Sequence, residues 1–141
     1  MKIEVLNGPN LNLLGSREPE IYGYDTLADI EARCVDVGRR HGAEVTFYQS
    51  NHEGALIDRI HAARGTIDAL VLNLGAYTHT SVALHDALRA YEGRKVELHI
   101  SNPHLREPFR HVSFVGSASD AVVTGLGVGG YELVVESLAA S

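Results

Sequence analysis

Hydrophobic and polar residues recur along the chain with two periods, and these predict five β-strands and four α-helices. Short apolar runs that end at Gly, Pro or Asn are typical of strands, and apolar residues three or four positions apart are typical of helices. The predicted strands span residues 2–7, 44–48, 69–72, 96–101 and 121–124. The predicted helices span residues 27–41, 53–64, 81–91 and 131–140.

Strands and helices alternate throughout, so we predict one α/β domain over residues 1–141. Right-handed crossovers then give a five-stranded parallel sheet with helices on both faces, a flavodoxin-like arrangement. Ligands of such folds bind beyond the carboxyl ends of the strands, where we expect the site. The residues predicted there are Asn7, Gly8, Gln49, Ser50, Asn73, Ser101, Asn102 and Gly125.

The fourth predicted strand and the residues after it carry a dense set of polar side chains. Glu97 and His99 face the same side of the strand, about 7 Å apart along the chain. Such a carboxylate orients the imidazole and keeps a proton on it, which suits a general acid. Ser101 follows, and Arg106 and Arg110 would share a face if that segment is helical. The pattern indicates a proton donor beside an anion clamp; the alternative is a strand with a satisfied histidine and a solvated basic turn.

A long loop is predicted over residues 10–25, and loops of that length usually form a lid or a binding site. Arg17 and Tyr22 lie in it. A phenol with a pKa of about 10 acts as a base only if its anion is stabilised. One cation about 4 Å away contributes about 4 kcal/mol at an effective dielectric constant near 20, enough to lower that pKa by about three units. Tyr22 is therefore either a base beside Arg17 or a tyrosine packed on the loop.

Composition excludes several classes of partner. A net charge of −6 argues against nucleic-acid binding, which requires a concentrated basic surface. The single cysteine, Cys34, lies in an apolar helical pattern and fits a reducing compartment. The N-terminus has no signal-peptide pattern, and the apolar runs are too short to cross a bilayer. We expect a cytoplasmic protein without a membrane partner.

A glycine-rich motif, Gly125 to Gly130, matches G-x-G-x-x-G between a strand and a helix, as a dinucleotide fingerprint does. Only residues 131–141 follow it, which leaves no room for a second strand and an acidic ribose ligand. Close backbone packing or an anion site at the helix N-terminus is favoured. A module that binds a nucleotide or a flavin phosphate through this motif stays the alternative function.

Other reaction types lack the residues that they need. His99, His104 and His111 do not have the spacing of zinc ligands, so no metal site is predicted. Lys2 and Lys95 begin strands, at the end of the sheet opposite the polar edge, which argues against Schiff-base chemistry. The chain lacks the G-x-S-x-G motif that would indicate a serine hydrolase. Acid–base catalysis on a small anion, without a cofactor, remains.

The spacing of His79 and Asp86 bears on whether they can share a site. His79 is predicted at the start of the third helix and Asp86 within it. Seven residues separate them by about 10 Å of helical rise, so they do not easily serve one small ligand. We expect Asp86 either to reach a neighbouring subunit or to be a solvated helix carboxylate.

Several motifs, in order and with matching spacing over essentially the whole chain, resemble type II 3-dehydroquinate dehydratase. They are Asn7-Gly8-Pro9-Asn10-Leu11, Arg17-Glu18-Pro19, Tyr22-Gly23, Gln49-Ser50-Asn51-His52-Glu53-Gly54, Thr78-His79-Thr80-Ser81 and the block from His99 to Arg110. The resemblance implies reversible anti elimination of water from 3-dehydroquinate to give 3-dehydroshikimate, a step of the shikimate pathway that needs no metal or cofactor. It further implies a flavodoxin-like subunit in a homododecamer built from trimers.

The resemblance also implies roles for the catalytic residues. Tyr22 is similar to the base that takes the C2 proton, with Arg17 lowering its pKa. Asn10 would help to hold a water at the enolate oxygen, where charge develops. His99 would protonate the departing hydroxyl, and Glu97 would orient it.

By the same resemblance, a further set of residues binds the substrate. Asn73, Ile100 and Ser101 would receive the carboxylate, the latter two partly through backbone N–H groups. His79 and Arg110 would hold the ring hydroxyls.

Two more positions resemble the family, and four depart from its common forms. Asp86 would enter the site from the adjacent subunit of the trimer, and Arg106 is similar to an arginine beside the lid. The departures are Leu74, His85, Val112 and Ala121. None is a proposed reacting group, so they bear on loop geometry and subunit packing rather than on the reaction.

Overall fold

The structure, a computed structural model, describes residues 1–16 and 18–141, apart from the side chains of Ile21 and Tyr22. The strands of this part of the chain are β1 (Lys2–Asn7), β2 (Glu44–Gln49), β3 (Ala69–Asn73), β4 (Arg94–His99) and β5 (Ala121–Thr124). Its α-helices are α1 (Pro19–Tyr22), α2 (Leu27–Arg40), α3 (Glu53–Ala63), α4 (Val82–Arg89) and α5 (Gly129–Ala139). Every predicted strand and helix is present, with bounds that shift by a few residues.

The strands form one parallel sheet in the order β2-β1-β3-β4-β5. This order confirms the predicted flavodoxin-like, five-stranded parallel sheet. The order reverses at β1, since β2 lies on one side of it and β3 on the other. Asn7, the last residue of β1, pairs with Gln49 of β2 and Asn73 of β3, so the polar strand ends lie side by side.

Two hydrophobic layers enclose the sheet. The helices α2 and α5 cover one face, and α3 and α4 cover the other. Because successive strand residues face opposite sides, Val5 packs in the first layer and Leu6 in the second. Burial of each such aliphatic side chain contributes about 1.5–3 kcal/mol. Cys34 is buried in the first layer, and this burial raises the pKa of its thiol to about 12, so the thiol is unreactive at neutral pH.

The predicted capping box at the start of α2 is confirmed. The Thr26 hydroxyl accepts a hydrogen bond from the backbone N–H of Asp29, and the Asp29 carboxylate accepts one from the backbone N–H of Thr26, at 3.2 and 3.0 Å. The bond from the Thr26 backbone is the main reason that the pKa of Asp29 is lowered.

The prediction of a structureless loop over residues 10–25 was wrong. A 3₁₀-helix spans Leu11–Leu13, and α1 follows within the same segment. Leu11 and Leu14 are buried against the first hydrophobic layer, which fixes the chain there. Proline at the first position of α1 favours its start, because the fixed φ angle of proline suits a helix N-terminus.

In the described part of the chain, no helix has the length and apolar character needed to cross a membrane.

Candidate active site

A pocket of about 130 Å³ lies at the carboxyl ends of β1, β3 and β4, where the sequence predicts the site. The reversal of strand order at β1 opens a crevice there, as in other doubly wound sheets. Of the residues predicted for the site, those that line this pocket are Asn10, Asn73, His79, His99, Ile100, Ser101, Arg106 and Arg110.

Glu97 lies behind the pocket wall and holds His99. The strand places both side chains on one face, and His99 Nε2 lies 2.6 Å from Glu97 Oε2. The side chain of Glu97 is only 2 % exposed, and that of His99 is 10 % exposed. Because a carboxylate only accepts hydrogen bonds, Nε2 carries the hydrogen of this bond. The second ring nitrogen, Nδ1, is then the one that is available to act on a ligand.

The ring of His79 stacks beside that of His99, with 6.1 Å between the ring centroids and 19° between the planes. His79 Nδ1 donates to the carbonyl oxygen of Val112 at 2.7 Å, so Nε2 is the acceptor of the neutral ring. Burial is the main cause that lowers the pKa of His79, and the nearby His99 lowers it further. A neutral His79 can therefore accept a hydrogen bond from a hydroxyl group.

The placement of His79 at the start of the third helix was wrong. It ends a separate 3₁₀-helix, Gly75–His79, and α4 begins only at Val82. The Ser81 hydroxyl accepts a hydrogen bond from the backbone N–H of Leu84, which caps α4. The separation of about 10 Å that a single helix would give between His79 and Asp86 therefore does not apply, because the two residues lie on separate helices. Asp86 lies on α4, exposed, and does not line the pocket.

Two arginines bring positive charge to the pocket. Arg106 and Arg110 do not share one helix, because Pro103 and Pro108 each start a short 3₁₀-helix. Both side chains are nevertheless about four-fifths buried, at 19 % and 20 % exposed. Arg110 Nε lies 2.9 Å from Glu107 Oε1, and Arg106 Nε lies 4.0 Å from the same oxygen. Both arginines line the pocket, although the segment does not form the single helix on which they would share a face; their action as an anion clamp stays a prediction.

The pKa of Glu107 is lowered, first by the backbone N–H of Glu107 itself and next by its hydrogen bond from Arg110. Glu107 therefore stays ionised and holds Arg110 at the pocket. Arg106 also lies close to a second pocket residue, since one of its N–H groups is 3.5 Å from Ser101 Oγ.

Side chains from β2 and its loop fix the segment that carries Asn10. The backbone N–H of Asn10 donates to Asn51 Oδ1 at 3.0 Å. Gln49 Nε2 donates to the carbonyl of Gly8 and to Asn51 Oδ1, and the Tyr77 hydroxyl donates to the Asn51 carbonyl at 2.7 Å. Asn10 itself adopts a φ of 70°, which asparagine tolerates better than most residues. The hydrogen bond from Tyr77 to Asn51 was not predicted from the sequence.

A second network that the sequence missed lies beneath Asn73. Asn73 Nδ2 donates to the hydroxyl of Tyr131 at 2.7 Å, and that hydroxyl donates to Asn7 Oδ1 at 2.8 Å. Tyr131 is fully buried, and this burial raises the pKa of its phenol, which stays neutral. The only sequence signal was one phenolic oxygen on the apolar face of the last helix. The network fixes which end of the Asn73 amide faces Tyr131.

The side chains of the two residues predicted on the base side of the reaction lie outside the described part of the structure. Arg17 lies outside the described residues. Tyr22 ends α1, and its side chain also lies outside the described part of the structure.

A model of the family described as Dehydroquinase class II matches residues 1–139. The chain belongs to this family. It is 59% identical to the 3-dehydroquinate dehydratase of Streptomyces coelicolor over 139 residues, covering 98% of this chain and 88% of that protein. It is 55% identical to the catabolic 3-dehydroquinase of Emericella nidulans over 137 residues, covering 97% and 90% of the two chains. The crystal structure of the type II dehydroquinase from Butyrivibrio crossotus superposes with a TM-score of 0.96 at 43% identity, covering 100% and 98%.

These matches confirm the prediction of a type II 3-dehydroquinate dehydratase that was made from the sequence motifs. The four departures from common dehydroquinase forms have clear surroundings in the fold. Leu74 is fully buried in the second hydrophobic layer, and His85 Nδ1 donates to the Phe114 carbonyl at 2.7 Å. Val112 contributes a main-chain carbonyl, and Ala121 begins β5. Their effect on loop geometry and subunit packing stays a prediction.

The glycine-rich motif has structural reasons in this dehydroquinase. Gly125 and Gly127 have φ angles of 81° and 67°, which glycine adopts without strain. A Cβ atom on Gly130 would lie 3.1 Å from Leu98 Cδ1, so the glycine lets α5 pack closely on β4. Close packing is one of the two roles that the sequence favoured for the motif; the other, an anion site at the helix N-terminus, stays a prediction.

Two histidines near the pocket, His99 and His111, form hydrogen bonds to neighbouring groups of the chain. Among residues 1–16 and 18–141, no group of three or more His, Cys, Asp or Glu side chains is arranged to hold a metal ion. The rings of His104 and His111 lie 5.5 Å apart, and His111 Nε2 bonds to the Arg106 carbonyl, while His99 bonds to Glu97.

Proposed function

We propose that this chain catalyses the reversible anti elimination of water from 3-dehydroquinate to give 3-dehydroshikimate through an enolate. The observation that carries the proposal is the buried Glu97–His99 pair at the wall of a pocket that Arg106 and Arg110 also line. A proton donor and an anion clamp then serve one small ligand. Membership of the class II dehydroquinase family and the names of the relatives support this substrate.

The acid step uses His99. The product is a conjugated enone with its ketone at C3, so the new double bond joins C1 and C2 and the hydroxyl leaves C1. In the proposed step the enolate returns to the C3 ketone and its electron pair forms the C1–C2 double bond. The C1–O bond breaks, and the hydroxyl departs as water with the proton from Nδ1 of protonated His99. Nε2 continues to donate its hydrogen bond to Glu97, so the imidazole ring keeps its orientation while it loses its positive charge.

The base step uses Tyr22, an assignment that rests on the sequence motifs. Its phenolate takes the C2 proton, and Arg17 stabilises the phenolate. The electron pair left on C2 moves into the C3 carbonyl and makes an enolate oxygen. Asn10 lines the pocket and would hold a water against that oxygen, where a hydrogen bond counts most because charge develops there.

Binding of the substrate uses the remaining pocket residues. Asn73, Ile100 and Ser101 would receive the carboxylate. His79 would accept from one ring hydroxyl through Nε2, because Nδ1 is committed to the Val112 carbonyl. Arg110, which Glu107 holds in place, would donate to another.

The direct test of the reaction follows the ultraviolet absorbance of the enone after purified protein is mixed with 3-dehydroquinate and a metal chelator. We expect the absorbance to rise at the same rate with and without the chelator. An absent signal would refute the dehydratase proposal. A signal that the chelator abolishes would refute the cofactor-free mechanism.

The proposal extends to the assembly: a homododecamer built from trimers, in which Asp86 completes the site of a neighbouring subunit. Support comes from the exposure of Asp86 away from the pocket of its own chain. Mixed oligomers of an Asp86→Ala variant and a His99→Ala variant test the shared site. A site on an Asp86→Ala subunit keeps its own His99 and would receive an intact Asp86 from a neighbouring His99→Ala subunit. We expect two inactive variants to regain activity after they are unfolded and refolded together. A mixture that stays inactive while forming mixed oligomers would refute the shared site.

A further inference from the structure

Glu97 needs more than one hydrogen-bond donor. Its side chain is almost fully buried, and a buried carboxylate is costly unless donors satisfy it. His99 supplies one donor, to Oε2. During the proposed reaction His99 loses its positive charge, so the carboxylate must be held while its charged partner becomes neutral.

Ser113 supplies a second donor to the same oxygen. Its Oγ lies 2.7 Å from Glu97 Oε2. The same Oγ accepts the backbone N–H groups of Val115 and Gly116, at 3.2 and 2.9 Å. Since both lone pairs of Oγ are used, its one hydrogen points at Glu97. The two N–H groups polarise the hydroxyl, and linked hydrogen bonds of this kind strengthen one another.

The backbone around Ser113 is shaped for this contact. A Cβ atom on Gly116 would lie 2.6 Å from Glu97 Oε1, so a larger residue at that position would push the carboxylate away. On either side of Ser113, the carbonyl of Val112 holds His79 and the backbone N–H of Phe114 donates to the carbonyl of Thr78 at 2.8 Å. The segment that carries Ser113 is therefore anchored to the pocket wall at three consecutive residues.

We infer that Ser113 is a positioning residue for His99, which it reaches through Glu97. The inference rests on the proposed dehydratase function. Ser113 does not line the pocket, so it has no direct contact with a substrate there. Without its hydroxyl, Glu97 Oε2 keeps one donor, and the carboxylate and the imidazole turn more freely.

The test compares Ser113→Ala and the nearly isosteric Ser113→Cys, whose thiol is a weak donor, with wild type. We expect kcat to fall about ten- to a hundredfold, the value of one hydrogen bond to a charged group, and KM to change less than about threefold. Ser119→Ala is the matched control. Its hydroxyl bonds to the Val115 carbonyl at 2.8 Å in the same turn and does not bond to Glu97, so kcat should stay at the wild-type value.

A double-mutant cycle separates positioning from general loss of structure. In a Glu97→Ala background the target of the hydroxyl is gone, so Ser113→Ala should lower kcat by less than about twofold. An equal loss in both backgrounds would overturn the inference, as would full activity of Ser113→Ala and Ser113→Cys beside an active wild type. An inactive wild type would instead refute the proposed function, and the positioning role with it. Thermal melting of each variant verifies that it is folded.

Discussion

The ring of His79 lies nearly parallel to that of His99, at 6.1 Å between centroids and 19° between planes. Two imidazoles this close repel each other if both are protonated, which is one reason that the pKa of His79 is lowered. The stacking therefore favours a neutral His79, which can accept a hydrogen bond beside the proposed acid His99.

The lowered pKa of His79 predicts a loss of stability in acid. Above a pH of about 6.5, the ordinary pKa of histidine, His79 is neutral in both the folded and the unfolded chain and has no effect. Below it the unfolded chain binds a proton that the folded chain resists, so stability falls until the pH reaches the lower folded pKa. Urea unfolding at pH 7.5 and 5.5 should show a smaller acid loss for His79→Gln than for wild type. His61→Gln, an exposed histidine on α3, is the control and should behave as wild type.

Replacement of His99 should abolish most of the turnover. General acid catalysis contributes about 10²–10⁴-fold, so His99→Gln should lower kcat in the enone assay by that factor. His104→Gln changes an exposed histidine of the same segment that does not line the pocket, and its kcat should match wild type. Equal activity of the two variants would place the acid elsewhere.

Removal of the Tyr22 hydroxyl should be as damaging, because the proposed base would be lost while the ring remains. Tyr22→Phe should lower kcat by several orders of magnitude and leave the melting temperature close to that of wild type. Tyr24→Phe is a close control, since that side chain is 81 % exposed. Near-normal turnover of Tyr22→Phe would require a different base.

The network under Asn73 predicts a defect in binding. Tyr131→Phe leaves Asn7 and Asn73 without their shared partner and should lower the free energy of unfolding by about 1–3 kcal/mol. KM should rise because the Asn73 amide is then free to turn. Tyr91→Phe removes a hydroxyl that bonds to the Ile67 carbonyl at the opposite end of the sheet, so it should cost stability without raising KM. An equal change in KM for both variants would contradict the assignment.

Sequence reasoning succeeded where the signal was local. The period of two along β4 placed Glu97 and His99 on one face, and the rule for parallel sheets placed the polar strand ends at one edge. Tertiary contacts gave no such signal. Ser113 and Tyr131 reach their partners from 16 and 58 residues away along the chain, through contacts that no periodicity reports. The burial of Leu11 and Leu14 was missed for the same reason.

The contact between His79 and position 112 has an evolutionary consequence. His79 bonds to the carbonyl oxygen of Val112, which any amino acid provides, whereas the valine side chain is 57 % exposed. Position 112 can therefore change its side chain during evolution, even beside the reaction centre, and His79 keeps the same tautomer. A serine at 113 has no such substitute, because its contact is made by the side chain itself.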